Sequence, residues 1–133
     1  MPTRNQEHEL IMICIYDALI YTEMDEEFSL EDVMEGVYME EYSDIPYFSK
    51  EIIIKSLSNI NEIKSVFQVN MPKWSFDRLN ALERAILLMS YTHFNVIKDA
   101  QKPVIIDRAV RLAKKYLDKD DYKFVNAILD KTL

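Results

Sequence analysis

Apolar residues recur at three- and four-residue spacings through most of the chain, the rhythm of helices with one buried face. Leu10, Ile11, Cys14, Ile15, Ala18 and Leu19 form such a face in a first helix predicted from about Arg4 to Tyr21. Glu7 and Glu9 sit in its opening turns, where negative charge complements the helix dipole. Tyr16 lies off the stripe, a position that suits a wet or shared interface for its amphipathic ring. The acidic stretch from Glu23 to Glu27 reads as a solvated connection. Ser29 followed by Asp32 resembles a helix start, and Leu30, Val33, Met34 and Val37 carry the stripe through a short second helix. Gly36 inside it costs ~1 kcal/mol against alanine, so it either ends the helix or admits a close neighbour.

After Ser43-Asp44-Ile45-Pro46, one long helix is predicted to carry Phe48, Ile52, Ile53, Leu57, Ile60, Ile63 and Phe67, and its length suits the central member of a bundle. Met71-Pro72-Lys73 breaks it. Trp74, Phe76 and Leu79 then supply apolar anchors at a bend before Leu82, Ala85, Ile86 and Met89 resume the pattern. A further helix follows Lys102-Pro103 with Ile105, Ile106, Ala109, Val110, Ala113 and Leu117, and a last one begins near Asp120 with Phe124, Val125, Ile128 and Leu129. The expectation is an all-α fold of six to seven helices, one domain over residues 1–133, built as two packed small bundles of about residues 1–70 and 71–133.

Composition supports this. The chain has 133 residues, 49% hydrophobic and 29% charged, which is the length and core content of one globular domain. One glycine and four prolines are too few for the tight turns of an all-β fold. The lone Cys14 has no partner for a disulfide within the chain and reads as a small buried hydrophobe in a reducing cytoplasm. No run approaches the ~18 apolar residues of a membrane span, and Pro2 to Glu7 adjoins no uninterrupted apolar core of signal-peptide type.

Chemistry-bearing motifs are missing. A chain with one glycine holds no phosphate-cradling loop, dinucleotide fingerprint or nucleophile elbow. His8 and His93 lack zinc-site spacing and point to structural or surface roles; His8-Glu9 opens a metalloprotease-like motif, but Met12 stands where the second histidine belongs. Neither catalysis nor a cofactor is expected.

Charge is unevenly distributed. Residues 1–70 carry four basic side chains against fifteen acidic, which is −11, and residues 71–133 carry twelve against eight, which is +4. Arg108, Arg111 and Lys115 recur at i, i+3 and i+7, on one helix face beside Lys114. They are either a solvated face or a phosphate-contacting surface. Asp120-Asp121-Tyr122-Lys123-Phe124 mixes a cation with aromatic rings at a helix start, as RNA readers do, although Phe124 also has core spacing. Glu83 and Arg84 fall on the exposed side of their helix, an ordinary solvent pair or an orienting contact for a partner.

Three stretches together resemble the NusB family: Trp74-Ser75-Phe76-Asp77-Arg78-Leu79 with Leu82-Glu83-Arg84-Ala85-Ile86-Leu87, then Ala109 to Lys115, then Lys123 to Lys131. The resemblance implies an all-helical, non-catalytic antitermination factor. It would bind boxA RNA with the ribosomal protein NusE, as part of the RNA polymerase antitermination complex of ribosomal-RNA transcription. By resemblance Lys123 and Phe124 match positions near RNA, Tyr16 a first-helix position linked to RNA binding, Asp120 an acidic position at that edge, and Glu83 one at the NusE contact. The chain departs from the family at its start, where Arg4 is followed by Asn5, Gln6, Glu7 and His8 in place of an arginine cluster. Fewer phosphate contacts flatten the salt dependence of RNA binding. Two alternatives stay open: a divergent NusB-like protein-interaction module with weak or no RNA binding, and a free-standing equivalent of the NusB-like domain of some ribosomal-RNA methyltransferases.

Overall fold

The structure, a computed structural model, describes residues 2–133. Its described residues form seven α-helices and no strand: α1 Arg4–Glu23, α2 Leu30–Tyr38, α3 Tyr47–Ser58, α4 Ile60–Val69, α5 Ala81–Thr92, α6 Lys102–Tyr116 and α7 Asp121–Thr132. Short 3₁₀ turns at Tyr42–Asp44 and Phe76–Arg78 and a π-helical segment, His93–Ile97, fill the connections. No helix is long and apolar enough to cross a membrane among the described residues.

The helix starts follow from capping. Thr3 and Gln6 exchange hydrogen bonds of 2.8 and 3.2 Å in a capping box that fixes the start of α1. Ser29 Oγ accepts from the Asp32 amide at the start of α2, and Asn80 Oδ1 accepts from the Leu82 amide at the start of α5. Gly36 does neither of the things expected of it. Met39, left-handed at φ 56°, ends α2, and a Cβ built on Gly36 meets nothing within 4 Å.

The long helix expected through Phe67 is two helices. Asn59, at φ −106° and ψ 17°, closes α3 and opens α4. Asparagine competes poorly for helix interiors because its amide bonds the nearby backbone instead, and the bend lets α3 pack on α1 and α5 while α4 reaches α5 and α7. The central member is α5 instead. Every residue from Glu83 to Ser90 is buried, and α5 packs against α1, α3, α4, α6 and α7. A helix buried on all sides is apolar all round, and Ala85-Ile86-Leu87-Leu88-Met89 has that character. The polar members near its C-terminal end are satisfied internally: Ser90 Oγ donates to Ile86 O at 2.7 Å, and Ser56 Oγ of α3 donates to Thr92 Oγ1 at 2.8 Å. One continuous core draws residues from both halves, from Ile11 and Phe67 to Val125 and Leu129. Cys14 is fully buried, and burial pushes its thiol up to about 12, out of reach of thiolate chemistry.

Candidate functional site

The basic stripe of α6 faces the start of α1. Arg108, Arg111 and Lys115 line a cleft with Asn5, His8 and Glu9. Most of this positive charge already has partners: Arg111 Nε donates to Asp107 Oδ2 at 3.0 Å, and Lys115 Nζ donates to Glu9 Oε1 at 2.7 Å. The Tyr116 hydroxyl also donates to Glu9. These bonds, Lys115 first, hold the Glu9 carboxyl below the usual carboxylate range. Such exposed pairs add little to stability, but a phosphate entering the cleft must compete with them. Arg4 is exposed, with its guanidinium carbon 3.7 Å from the centroid of the Phe48 ring.

Beneath this cleft the two histidines meet. His8 Nδ1 lies 2.7 Å from Arg4 O, His8 Nε2 lies 3.1 Å from His93 Nδ1, and His93 Nε2 lies 2.6 Å from Asp99 Oδ1. The carbonyl only accepts, so His8 carries its proton on Nδ1 and offers a lone pair at Nε2. His93 must then donate from Nδ1, and a second proton on its Nε2 completes the line to Asp99. Three hydrogen bonds need three protons, and two neutral rings bring two. The line closes when the pair holds one extra proton on His93, balanced by the Asp99 carboxylate. Burial pushes His8 down to about 4; burial also lowers His93, with the Asp99 hydrogen bond opposing. Both rings are thus held below the ordinary imidazole value, so the extra proton that would close the line is disfavoured.

The start of α7 forms a second region. Lys123 pairs with Asp120 at 3.5 Å, both exposed. Phe124 is half-buried; it packs on the core and meets the edge of Trp74 at 6.3 Å and 63°. Both of its possible roles are thus available to the one ring. Trp74 is not the core anchor expected at the bend. Phe76 fills that role, 1% exposed, while Trp74 is 62% exposed. Gln68 holds the loop between them: its Nε2 donates to Met71 O at 3.2 Å and Trp74 O at 2.6 Å, and its Oε1 accepts from the Phe76 amide at 2.9 Å.

Glu83 and Arg84 are also corrected. Expected on a solvent face, they are 7% and 8% exposed, because α5 is enclosed on all sides. Arg84 is tied down, with Nε donating to Leu79 O at 3.0 Å and its guanidinium paired to Glu23. Glu83 has no hydrogen bond or ion pair among the described residues, and desolvation, with the Asp121 charge second, pushes its carboxyl up to about 7. It lines a cleft with Gln68, Lys73, Trp74, Arg78 and Asn80. A second cleft, which shares Pro72, Lys73 and Trp74 with it, is lined also by Asn70, Phe124 and Lys131.

The fold thus brings the predicted α6 cations together beside α1 and sets Phe124 and Glu83 in two clefts that share the Trp74 loop. Tyr16 packs half-buried on the core and lines none of these clefts. The sequence reading missed the His8–His93–Asp99 line, whose members stand 85 and 6 residues apart, and the exposure of Trp74.

Fold and site define a class: an all-helical recognition scaffold that displays charged and aromatic side chains around a buried central helix. The NusB family model matches residues 5–133, and the chain belongs to the NusB family. Among relatives, the transcription antitermination protein NusB of Treponema denticola is 43% identical over 83 residues, 62% of this chain and 61% of that protein. The NusB of Macrococcus caseolyticus is 32% identical over 107 residues, 80% of each chain. Among solved structures, T. maritima NusB superposes with a TM-score of 0.83 at 23% identity, covering 98% of this chain and 90% of that one. A complex of the antitermination factors NusB and NusE with double-stranded RNA contains a chain that matches with a TM-score of 0.80 at 21% identity, covering 97% and 94%. At such identities the structures speak for the fold.

Proposed function

We propose that this chain is a NusB-type transcription antitermination factor that holds boxA-like RNA together with the ribosomal protein NusE during ribosomal-RNA transcription. The observation that carries the reading is Glu83: its side chain is largely buried, finds no partner among the described residues and meets water only at a cleft, so its charge is partly desolvated in the free chain and is accounted for by a donor that a partner supplies. On this reading Glu83 receives NusE, and Arg84 fixes the start of α5 around it. Arg4, Tyr16, Arg108, Arg111, Lys115, Asp120, Lys123 and Phe124 belong to the RNA side. The two sub-bundles, about residues 1–70 and 71–133, act as one unit in the cytoplasm, by recognition without bond chemistry or cofactor. Titrating the chain with boxA RNA, with NusE and with both, at two salt concentrations, tests this. A ternary complex tighter than either pair is expected; binding to neither component removes the reading.

A second reading, a protein-interaction module with weak RNA binding, is favoured by the intramolecular partners of Arg111, Lys115 and Lys123. A pull-down with and without nuclease separates the two, since an RNA-independent partner set belongs to the second.

A further inference from the structure

The cleft between Trp74 and Phe124 has a makeup that the core does not require. It encloses about 390 Å³, within the roughly 300–1,000 Å³ of small-ligand sites, and its lining includes the Trp74 and Phe124 rings with Lys73, Lys131 and Asn70 at its margins. Trp74 is the chain's single tryptophan, and leaving most of its ring in water forfeits the burial that such a ring ordinarily gains. This exposure is not slack in the loop. The three Gln68 hydrogen bonds clamp the backbone on both sides of Trp74, so the ring is displayed from a braced support. Lys73 and Lys131 form no ion pair among the described residues, unlike Arg111, Lys115 and Lys123. Two aromatic rings set at 63° beside uncommitted ammonium groups fit a flat, π-faced ligand that carries negative charge next to its ring.

We propose that this cleft receives one unpaired nucleobase of a bound RNA, stacked on Trp74 and bordered by Phe124, with the adjoining phosphates on Lys73 and Lys131. The assignment rests on the RNA-binding reading above and adds Trp74, Lys73 and Lys131 to it. A base held in a helix has its faces covered by its neighbours, so the cleft selects single-stranded or looped RNA over duplex. Asn70 supplies an edge contact: its side-chain amide nitrogen is 3.3 Å from Val66 O and 3.4 Å from Thr132 Oγ1, and its side-chain oxygen accepts no hydrogen bond among the described residues.

Because Trp74 is the single tryptophan, indole emission reports on this loop, and titrating RNA without NusE leaves the Glu83 cleft it also borders unoccupied by that partner. The full chain is titrated with a fluorescein-labelled single-stranded boxA RNA, and with the same sequence annealed to its complement. Anisotropy of the label measures binding, and indole emission, read with unlabelled RNA, measures stacking. Expected are quenching of Trp74 with the midpoint of the anisotropy curve for single-stranded RNA, little quenching with duplex, a loss of affinity of about 5- to 100-fold in Trp74→Ala, and near-native binding in Trp74→Phe. RNA bound with unchanged indole emission, or Trp74→Ala binding as tightly as the native chain, overturns the proposal while leaving the RNA-binding reading standing. Absence of any anisotropy change in the native chain, with and without NusE, overturns both. Should Trp74→Ala keep its RNA affinity and lose NusE instead, the ring serves the protein partner and the nucleobase assignment is wrong. Thermal unfolding of both variants checks folding, and an exposed ring predicts small shifts.

Discussion

Replacing Glu83 with glutamine keeps the shape of the side chain and removes its charge. In the folded chain the carboxyl titrates near 7 against an ordinary 4.5, chiefly because burial on α5 strips its water. An acid whose folded pKa is raised holds its proton longer in the native state than in the unfolded one. Its favourable contribution is complete below pH 4.5 and is lost as pH rises through 7, where the native state must carry a desolvated charge. A difference of 2.5 units corresponds to about 3 kcal/mol at full ionisation, and partial access to the cleft brings the expectation to about 2 kcal/mol at pH 8. Glu83→Gln should therefore be more stable than the native chain by about 2 kcal/mol at pH 8, and nearly equal to it at pH 4.5. Urea unfolding of both chains at the two pH values measures this, and every other titrating group cancels in the difference. The variant should also bind NusE more weakly, the trade expected where a destabilising group serves recognition. A variant less stable at pH 8, or a stability gap that does not change with pH, would show that Glu83 has an internal partner and that its cost is not a mark of function.

Three further outcomes follow from the geometry. His8 has a folded pKa lowered to about 4, so the unfolded chain takes up its proton first as pH falls below 6.5; native stability should drop by about 2 kcal/mol between pH 7 and 5 from this group, a component missing from the denaturant curves of His8→Gln. Gly36→Ala should stabilise by about 1 kcal/mol in thermal unfolding, because α2 continues past Gly36 and its new methyl meets nothing. Glu9→Gln removes the acid that holds Lys115 and should tighten boxA RNA binding, with the slope of log affinity against log salt steeper by about one; an unchanged slope would mean that Lys115 faces no phosphate.

Much of the fold was legible because its elements repeat a simple rule. The stripe in α1, the Ser29 cap, the break at Met71-Pro72 and the starts of α6 and α7 are local features, and local features survive in the sequence. The errors concern what lies between elements. Periodicity identifies an apolar face on a helix but not how many neighbours enclose that helix, so α5 was read as half-exposed and Glu83 and Arg84 as solvent residues. Asn59 interrupts only one residue of an otherwise continuous pattern, which hides the division of α3 from α4. At the site the α6 stripe was visible at i, i+3 and i+7, but its neutralising acids were not, since Glu9 lies 106 residues from Lys115.

Composition points both ways about nucleic acid for a related physical reason. A basic stripe seen in sequence counts cations, whereas phosphate binding depends on cations that are not already spent. In this fold Arg111 and Lys115 face acids of their own, and only Lys73 and Lys131, which stood outside every predicted site, border an aromatic cleft without ion-pair partners. On the proposed reading, the missing arginines at the start of α1 and the pairing of Arg111 and Lys115, which leaves Arg108 as the unpaired cation of the stripe among the described residues, move the weight of recognition from the α1–α6 cleft toward the Trp74 loop. There, in the proposed arrangement, base stacking would cost little salt sensitivity and Glu83, in the adjoining cleft, would meet the second partner. A chain built this way should hold RNA weakly alone and firmly once the partner closes on Glu83, because the two clefts share Lys73 and Trp74 as a common wall.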